Sequence, residues 1–184
     1  MIDPSSDGAL VAEALAGYDE AFAEIVRRHR DALYRIAYAT LGDADEALDA
    51  VQDALIAAHG ALRRFDRARP LRPWLSRIVL NRCRDVRRRR TVRRMLLPFA
   101  AVAEQVADDA PGPAALAGDR RTLARTLTAI AALPTNLREP LVLTAIDAMP
   151  QADVAEALGI TTKAVETRVR RARAALRASM PEIG

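Results

Sequence analysis

Apolar residues in this chain return every three or four positions and almost nowhere alternate, so helices are predicted throughout and strands are not. From Asp19 to Leu41, Phe22, Ile25, Val26, Leu33, Ile36, Ala37 and Leu41 form one stripe, with Arg27, Arg28, Arg30 and Arg35 at other positions. Gly42 supplies a stop, and Asp43 followed by Glu46 reads as a capping box opening a second, antiparallel helix. On that helix Leu48, Val51, Leu55, Ala58 and Leu62 read as a single apolar seam. The segment Phe65 to Pro73 carries three arginines and two prolines and reads as irregular. A third helix then follows through Trp74, Leu75, Ile78, Val79 and Val86 into a run of arginines, with Pro73 suited to its first turn. A short leading helix around Ala9 to Ala16 completes an N-terminal bundle over 1–94.

Residues 95–119 change character: Pro98, Pro111, Gly112, Pro113 and Gly118 punctuate an alanine-rich stretch whose charges are Glu104, Asp108 and Asp109. This reads as a flexible linker. Helical periodicity resumes at Leu123, Leu127, Ile130 and Leu133, continues through Leu137, Leu141, Val142 and Ile146, and recurs twice more to Leu176. The fold class expected is therefore all-α, with two small helical domains: an N-terminal bundle over 1–94 and a four-helix C-terminal domain over 120–184.

Within the second block, Gln151 to Arg170 has the features of a helix-turn-helix. Such a hairpin needs a small residue where its helices cross, a residue that tolerates positive φ in the turn, and apolar residues facing inward from both helices. Ala155, Gly159 and Val165 meet those needs, Val154, Leu158, Ile160 and Val169 fill the inner face, and Thr161 is a natural N-cap. Thr162, Lys163, Glu166, Thr167, Arg170 and Arg171 then fall on or near the outer face, where such side chains reach base edges and phosphates; Arg168 and Arg173 suit phosphates or a neighbouring acid. A generic helical hairpin with a solvated basic face is the simpler alternative.

Composition sharpens this picture. The chain has 184 residues, a net charge of +4 and a single lysine, Lys163, so nearly all its cationic charge is arginine. Arginine pairs bidentately with phosphate and carboxylate, although a high-GC genome would also enrich it. Two histidines, His29 and His59, lie in different helices without a metal-ligand cluster, no glycine-rich phosphate loop occurs, and Cys83 has no base beside it in sequence. No catalytic residue, cofactor or metal is expected. Cys83 falls at an apolar helix position and reads as a buried structural thiol. Met1 to Asp7 lacks a signal-peptide pattern and no apolar run is long enough to span a bilayer, so membrane insertion is not expected and a cytoplasmic location is.

Both blocks resemble the extracytoplasmic-function sigma factors of bacterial RNA polymerase, in the expected order. Phe22 to Gly42 resembles the opening helix of the N-terminal sigma region; Asp49-Ala-Val-Gln52-Asp53 is similar to its acid-and-glutamine segment; Arg64-Phe65, Trp74-Leu75, Arg77-Ile78, Asn81 and Asp85 follow. Leu133-Pro134, Leu137-Arg138-Glu139 and the stretch from Ala164 to Leu176 resemble the C-terminal region. The resemblance implies that the first domain binds the largest-subunit coiled coil of core RNA polymerase and opens the minus-10 element of promoter DNA. It implies that the second domain reads the minus-35 element, and that an anti-sigma factor is a partner.

Asp45, Asp49, Gln52 and Asp53 share one helical face and are the polymerase-binding candidates; unaided, such a stripe is also what a solvated face looks like. Arg64, Phe65, Arg67, Arg69, Arg72, Arg77, Asn81, Arg84, Arg87 and Arg88 are the minus-10 candidates, with Arg63 beside them: the arginines for phosphates, Asn81 for a base edge, and a base-capturing pocket within Phe65 to Pro73. Thr162, Lys163, Glu166, Thr167, Arg168, Arg170, Arg171 and Arg173 are the minus-35 candidates. Trp74 reads either as core or as a stacking platform.

The chain departs from the family in three places. Arg67 and Leu71 stand where a glycine and a second aromatic are common, Met149-Pro150-Gln151 where serine and an aromatic are, and Glu166 where lysine is frequent. Glu166 can accept a hydrogen bond from cytosine or pair within its helix with Arg170. A stand-alone helix-turn-helix regulator, which would bind DNA without polymerase, and a pure adaptor are the competing classes.

Overall fold

The computed structural model describes residues 6–96 and 114–180, with side chains described over 6–96 and 121–180. Most of the expected linker, with Glu104, Asp108 and Asp109, lies outside the described residues, as do Met1 to Ser5. All regular structure among the described residues is helical.

The N-terminal domain contains α1 (Asp7–Leu15), α2 (Asp19–Leu41), α3 (Ala44–Ala61), a 3-10 turn (Leu62–Arg64) and the long α4 (Leu71–Leu96). Its helices begin and end where local chemistry dictates. The Ser6 hydroxyl accepts the Ala9 N–H at 3.3 Å to open α1. Gly42, at φ 72°, closes α2 in the left-handed region that glycine adopts without strain. Asp43 then accepts the Glu46 N–H at 2.8 Å. Only half of the expected capping box forms, because the Glu46 carboxylate turns away to Arg90 of α4, 2.7 Å distant.

The core joins Ile25, Leu33 and Ile36 of α2 to Leu75, Val79, Leu80 and Cys83 of α4, with α3 packed against both. The inward face of α3 is made of Ala47, Ala50, Val51, Ala54 and Ala58, and Leu48 is 57% exposed. Of the predicted seam, Val51, Ala58 and Leu62 are buried and Leu55 packs against the core, whereas Leu48 is corrected to the outer face. Small residues let α2 and α4 approach α3 closely, so the alanines rather than the largest side chains set its rotational phase.

The C-terminal domain contains α5 (Ala114–Ala132), α6 (Thr135–Leu141), a π-helical turn (Val142–Ile146), α7 (Gln151–Leu158) and α8 (Thr162–Ser179). Leu127, Ile130, Leu133, Leu141, Val142, Leu143, Val154, Val165, Val169 and Ala172 form its core. Leu123 is 59% exposed, so the buried stripe of α5 starts one turn later than the periodicity suggests. Gly159, at φ 65°, turns the chain between α7 and α8, and the Thr161 hydroxyl accepts the Ala164 N–H at 3.2 Å. These are the turn and the cap that the sequence pattern calls for.

Arg138 is 1% exposed. Its guanidinium donates to the Ala131 and Leu133 carbonyls, at 3.0 and 2.7 Å, and to the Thr135 hydroxyl at 3.0 Å. It therefore satisfies carbonyls at the C-terminal end of α5 that have no partner within the helix, and its positive charge suits that end of the dipole. Burial lowers its pKa to about 10, which leaves it charged at neutral pH.

The domains touch along α4 with α7, and along α2 with α5 and with the π-helical turn. Removing the Arg138 anchor should cost the C-terminal domain about 3 kcal/mol, because two carbonyls lose their donor in a dry site. Urea unfolding of Arg138→Ala should show that loss, whereas Leu48→Ala should stay within about 0.5 kcal/mol of the parent. A neutral Arg138→Ala would contradict the buried cap.

Candidate functional site

Three surfaces carry the predicted side chains. On α3, Asp45, Asp49, Gln52 and Asp53 are all exposed on one face. Sequence reading missed that Leu48 and Ile56, 57% and 68% exposed, share that face with them. Ile56 stands three residues beyond Asp53 and seven beyond Asp49, so counting helical offsets from the acids would have found it. Beside the acids a groove runs between α3 and α4, where Asp49 and Asp53 face Arg89, Arg90 and Arg93. An apolar pair ringed by carboxylates is a surface suited to a basic, amphipathic helix.

The second surface is the loop and α4. Phe65 is buried, its ring 4.9 Å from that of the half-buried Trp74. The two rings line a cavity of about 280 Å³ together with Arg64, Arg69 and Arg77. Trp74 packs on a core aromatic, as the core reading expects, and also walls this cavity. Glu156 and Ala157 of α7, from the other domain, also line this cavity.

The arginines around that pocket divide into groups. Arg64, Arg67 and Arg77 are exposed. Arg69 lies 3.5 Å from Glu156 and 3.6 Å from Asp66. Arg72 donates from Nε to Asp147 Oδ2 at 3.1 Å, and its Nη2 donates to the Asp147 carbonyl and approaches Oδ1 at 2.7 Å. The Asp147 side chain is fully buried; its Oδ1 has no well-aligned hydrogen bond and is balanced by the charge of Arg72 and, at 4.0 Å, of Arg35. Arg84 holds Glu139 with a two-pronged pair, Nε to Oε1 at 2.7 Å and Nη2 to Oε2, and its Nη1 donates to Asn81 Oδ1 at 2.8 Å. The Glu139 hydrogen bond raises the Arg84 pKa further.

Arg87 points elsewhere: it donates to the Thr40 carbonyl at 3.3 Å, and Arg90 donates to the Leu41 carbonyl at 3.2 Å. Both cap the C-terminal end of α2, a structural duty for side chains predicted, in the case of Arg87, to face phosphate. Arg88 pairs with Asp85 at 3.2 Å on the surface.

The π-helical turn explains how Asp147 reaches Arg72. Pro140 cannot donate within α6, and downstream the register widens, with the Asp147 N–H bonding to the Val142 carbonyl at 3.1 Å and the Met149 N–H to the Leu143 carbonyl at 2.9 Å. Ala148 then adopts φ 50°, unusual for a residue with a side chain. No hydrophobic pattern announces such a turn. Glu139, Asp147 and Glu156 were accordingly absent from the sequence-derived site.

The third surface is α8. Thr162, Lys163, Glu166, Arg170, Arg171 and Arg173 are exposed, and Thr167 and Arg168 are half-buried. Glu166 pairs with Lys163 at 3.4 Å, in place of the Arg170 pairing considered from sequence. The groups on this face present donors to solvent over several turns, as a helix entering a DNA groove requires.

Cys83 lies inside the first domain, and burial pushes its thiol up to about 12. At pH 8 only about 1 in 10⁴ molecules would carry the thiolate, the reactive form. Disulfide-exchange reagents should therefore leave the native protein unmodified at pH 8 and label it stoichiometrically once urea unfolds it; rapid native labelling would contradict this burial.

Comparison with known proteins bears directly on these surfaces. Residues 25–93 match Sigma-70 region 2 and residues 123–176 match Sigma-70, region 4. The RNA polymerase sigma factor CnrH of Cupriavidus metallidurans is 43% identical over 183 residues, covering 97% of this chain and 96% of that one. The ECF RNA polymerase sigma factor SigM of Mycobacterium tuberculosis is 34% identical over 171 residues, covering 93% and 83%. Among solved structures, CnrH in complex with the cytosolic domain of CnrY has a TM-score of 0.72 at 38% identity, covering 95% of this chain and 97% of that one. No helix among the described residues is long and apolar enough to cross a membrane.

Proposed function

This chain belongs to the extracytoplasmic-function class of RNA polymerase sigma factors, and from that premise we propose how its three surfaces divide the work of promoter recognition. The protein binds core RNA polymerase and directs it to promoters; proteins of this family carry out no chemistry of their own on the nucleic acid. The observation that carries the division is the separation of an acidic, leucine-bearing face on α3 from two arginine-rich faces, one on α4 and one on α8.

The α3 face docks on polymerase. Leu48 and Ile56 supply apolar contact, while Asp45, Asp49, Gln52 and Asp53 select a basic partner and set its register. The loop and α4 take the minus-10 element: a base leaving the stack enters the cavity beside Phe65 and Trp74, and Arg64, Arg67, Arg69, Arg72, Arg77, Arg84 and Arg88 follow the backbone. Unstacking one base costs a few kcal/mol, which the cavity and the phosphate contacts together offset. Arg87, occupied with the end of α2, supports this face rather than touching DNA. On α8, Lys163, Arg170 and Arg171 reach the minus-35 groove, with Thr162, Glu166, Thr167, Arg168 and Arg173 around them.

The site of action is the cytoplasm, where polymerase is. CnrH is seen with the cytosolic domain of CnrY bound. By the same logic an anti-sigma factor controls this protein by covering the α3 face.

Run-off transcription from a promoter library tests the assignment. Purified core polymerase should initiate at a shared two-element motif only when this protein is added; operator binding by the protein alone, without such initiation, would point to a stand-alone regulator. Asp49→Arg with Asp53→Arg should lower affinity for core polymerase by at least about a hundredfold while circular dichroism stays unchanged. Undiminished binding of that variant would remove the proposed polymerase face. Lys163→Ala or Arg171→Ala should weaken minus-35 use selectively, by about 1–3 kcal/mol, with core affinity retained.

A further inference from the structure

Helix α8 carries six cations, Lys163, Arg168, Arg170, Arg171, Arg173 and Arg177, and a single acid, Glu166. Lys163, Glu166, Arg170 and Arg173 recur at spacings of three and four, so they form one row along the helix, and all four are exposed. Phosphates repel a carboxylate placed in such a row, so Glu166 weakens binding to DNA unless it meets a hydrogen-bond donor there.

Local stability does not explain the acid. Glu166 lies in the second turn of α8, whose first turn holds no acid, and so gains little from the helix dipole. Its carboxylate approaches the Lys163 ammonium at 3.4 Å, but the two side chains are 53% and 82% exposed, and an ion pair so open to water adds little to a fold. Glu166 does not join the two domains either, a task that falls to Glu139, Asp147 and Glu156. What its place does provide is reach, because the early turns of the second helix of a helix-turn-helix are the ones that meet base edges.

Among those edges the choice is narrow. In the major groove guanine and thymine present only acceptors, which repel a carboxylate. Adenine offers its N6 amine beside the N7 acceptor, whose lone pair opposes the second carboxylate oxygen, whereas cytosine offers its N4 amine without a neighbouring acceptor. Cytosine is therefore the preferred partner. The Lys163 ammonium screens the carboxylate from phosphates and can donate to O6 and N7 of the guanine paired with that cytosine.

We propose that Glu166 determines specificity at one position of the minus-35 element, accepting a hydrogen bond from the N4 amine of a cytosine, with Lys163 as its charge partner. This rests on the reading of α8 as the minus-35 helix.

The test is run-off transcription by core polymerase with the full-length protein, from a promoter it uses whose minus-35 region is randomised, with the initiating templates sequenced. The parent should prefer cytosine at one position by at least about fivefold, as one good contact to a base edge gives. E166Q, whose amide can pair with N6 and N7 of adenine, should move the preference at that position to adenine, and E166K should move it to guanine, while the other positions keep theirs. E166A should leave that position without preference.

Unchanged preference at every position in E166Q and E166K overturns the proposal. So does a loss of preference spread evenly over the element, which would make Glu166 a support of the helix rather than a reader of one base. R171A in the same library separates this inference from the assignment it rests on. If R171A weakens the minus-35 preference while E166Q and E166K leave it as in the parent, α8 reads the element and only the role of Glu166 fails; if none of the three changes the preference, the α8 assignment falls and the proposal with it.

Discussion

Guanidinium groups gathered on one helix need anions, and much of this structure is organised by how that need is met. Along α4, Arg90 takes the Glu46 carboxylate and the Leu41 carbonyl, Arg87 takes the Thr40 carbonyl, and Arg84 and Arg72 take carboxylates from the other domain. The first kind of partner fixes the bundle, because the ends of α2 and α3 are tied to α4 through groups that would otherwise lack partners. The second kind joins the two domains. Arginine suits both uses, since its planar fork grips a carboxylate or a phosphate in the same geometry.

The difference between these partners has functional weight. A helix-end carbonyl is held in place by its own backbone, so Arg87 and Arg90 stay engaged through any rearrangement of the domains. Glu139, Asp147 and Glu156 belong to the second domain, so Arg69, Arg72 and Arg84, on and beside the Phe65–Trp74 cavity, hold a contact between the domains. Arginines that tie the bundle together and arginines that join the domains thus lie within a few residues of each other. Charge alone does not separate them; the identity of the acceptor does.

Much of this was legible in the sequence. Helical spacing gave the elements, Gly42 and Gly159 marked two of their ends, and the order of the Asp49-Gln52-Asp53 segment, Trp74 and the helix-turn-helix carried the family resemblance. What escaped were matters of phase and of long-range pairing. Leu48 was placed in the seam because leucine outweighs alanine in a hydrophobic pattern, although close helix packing favoured Ala47, Ala50, Ala54 and Ala58. Arg138 entered the sequence reading only within the Leu137-Arg138-Glu139 resemblance, and no pattern marks it as the buried cap of α5. Asp147 could not be foreseen, since its position depends on the π-helical turn after Pro140 and on a partner 75 residues away in the chain.

The central claim is that the exposed face of α3 meets polymerase while the faces of α4 and α8 meet DNA. Hydroxyl-radical footprinting of the protein, bound first to core polymerase alone and then to polymerase with promoter DNA, tests this most directly. Leu48 and Ile56 should be protected by polymerase alone, and Trp74 only once promoter DNA is added. Protection of Trp74 by polymerase alone, with Leu48 and Ile56 still reactive, would contradict the account.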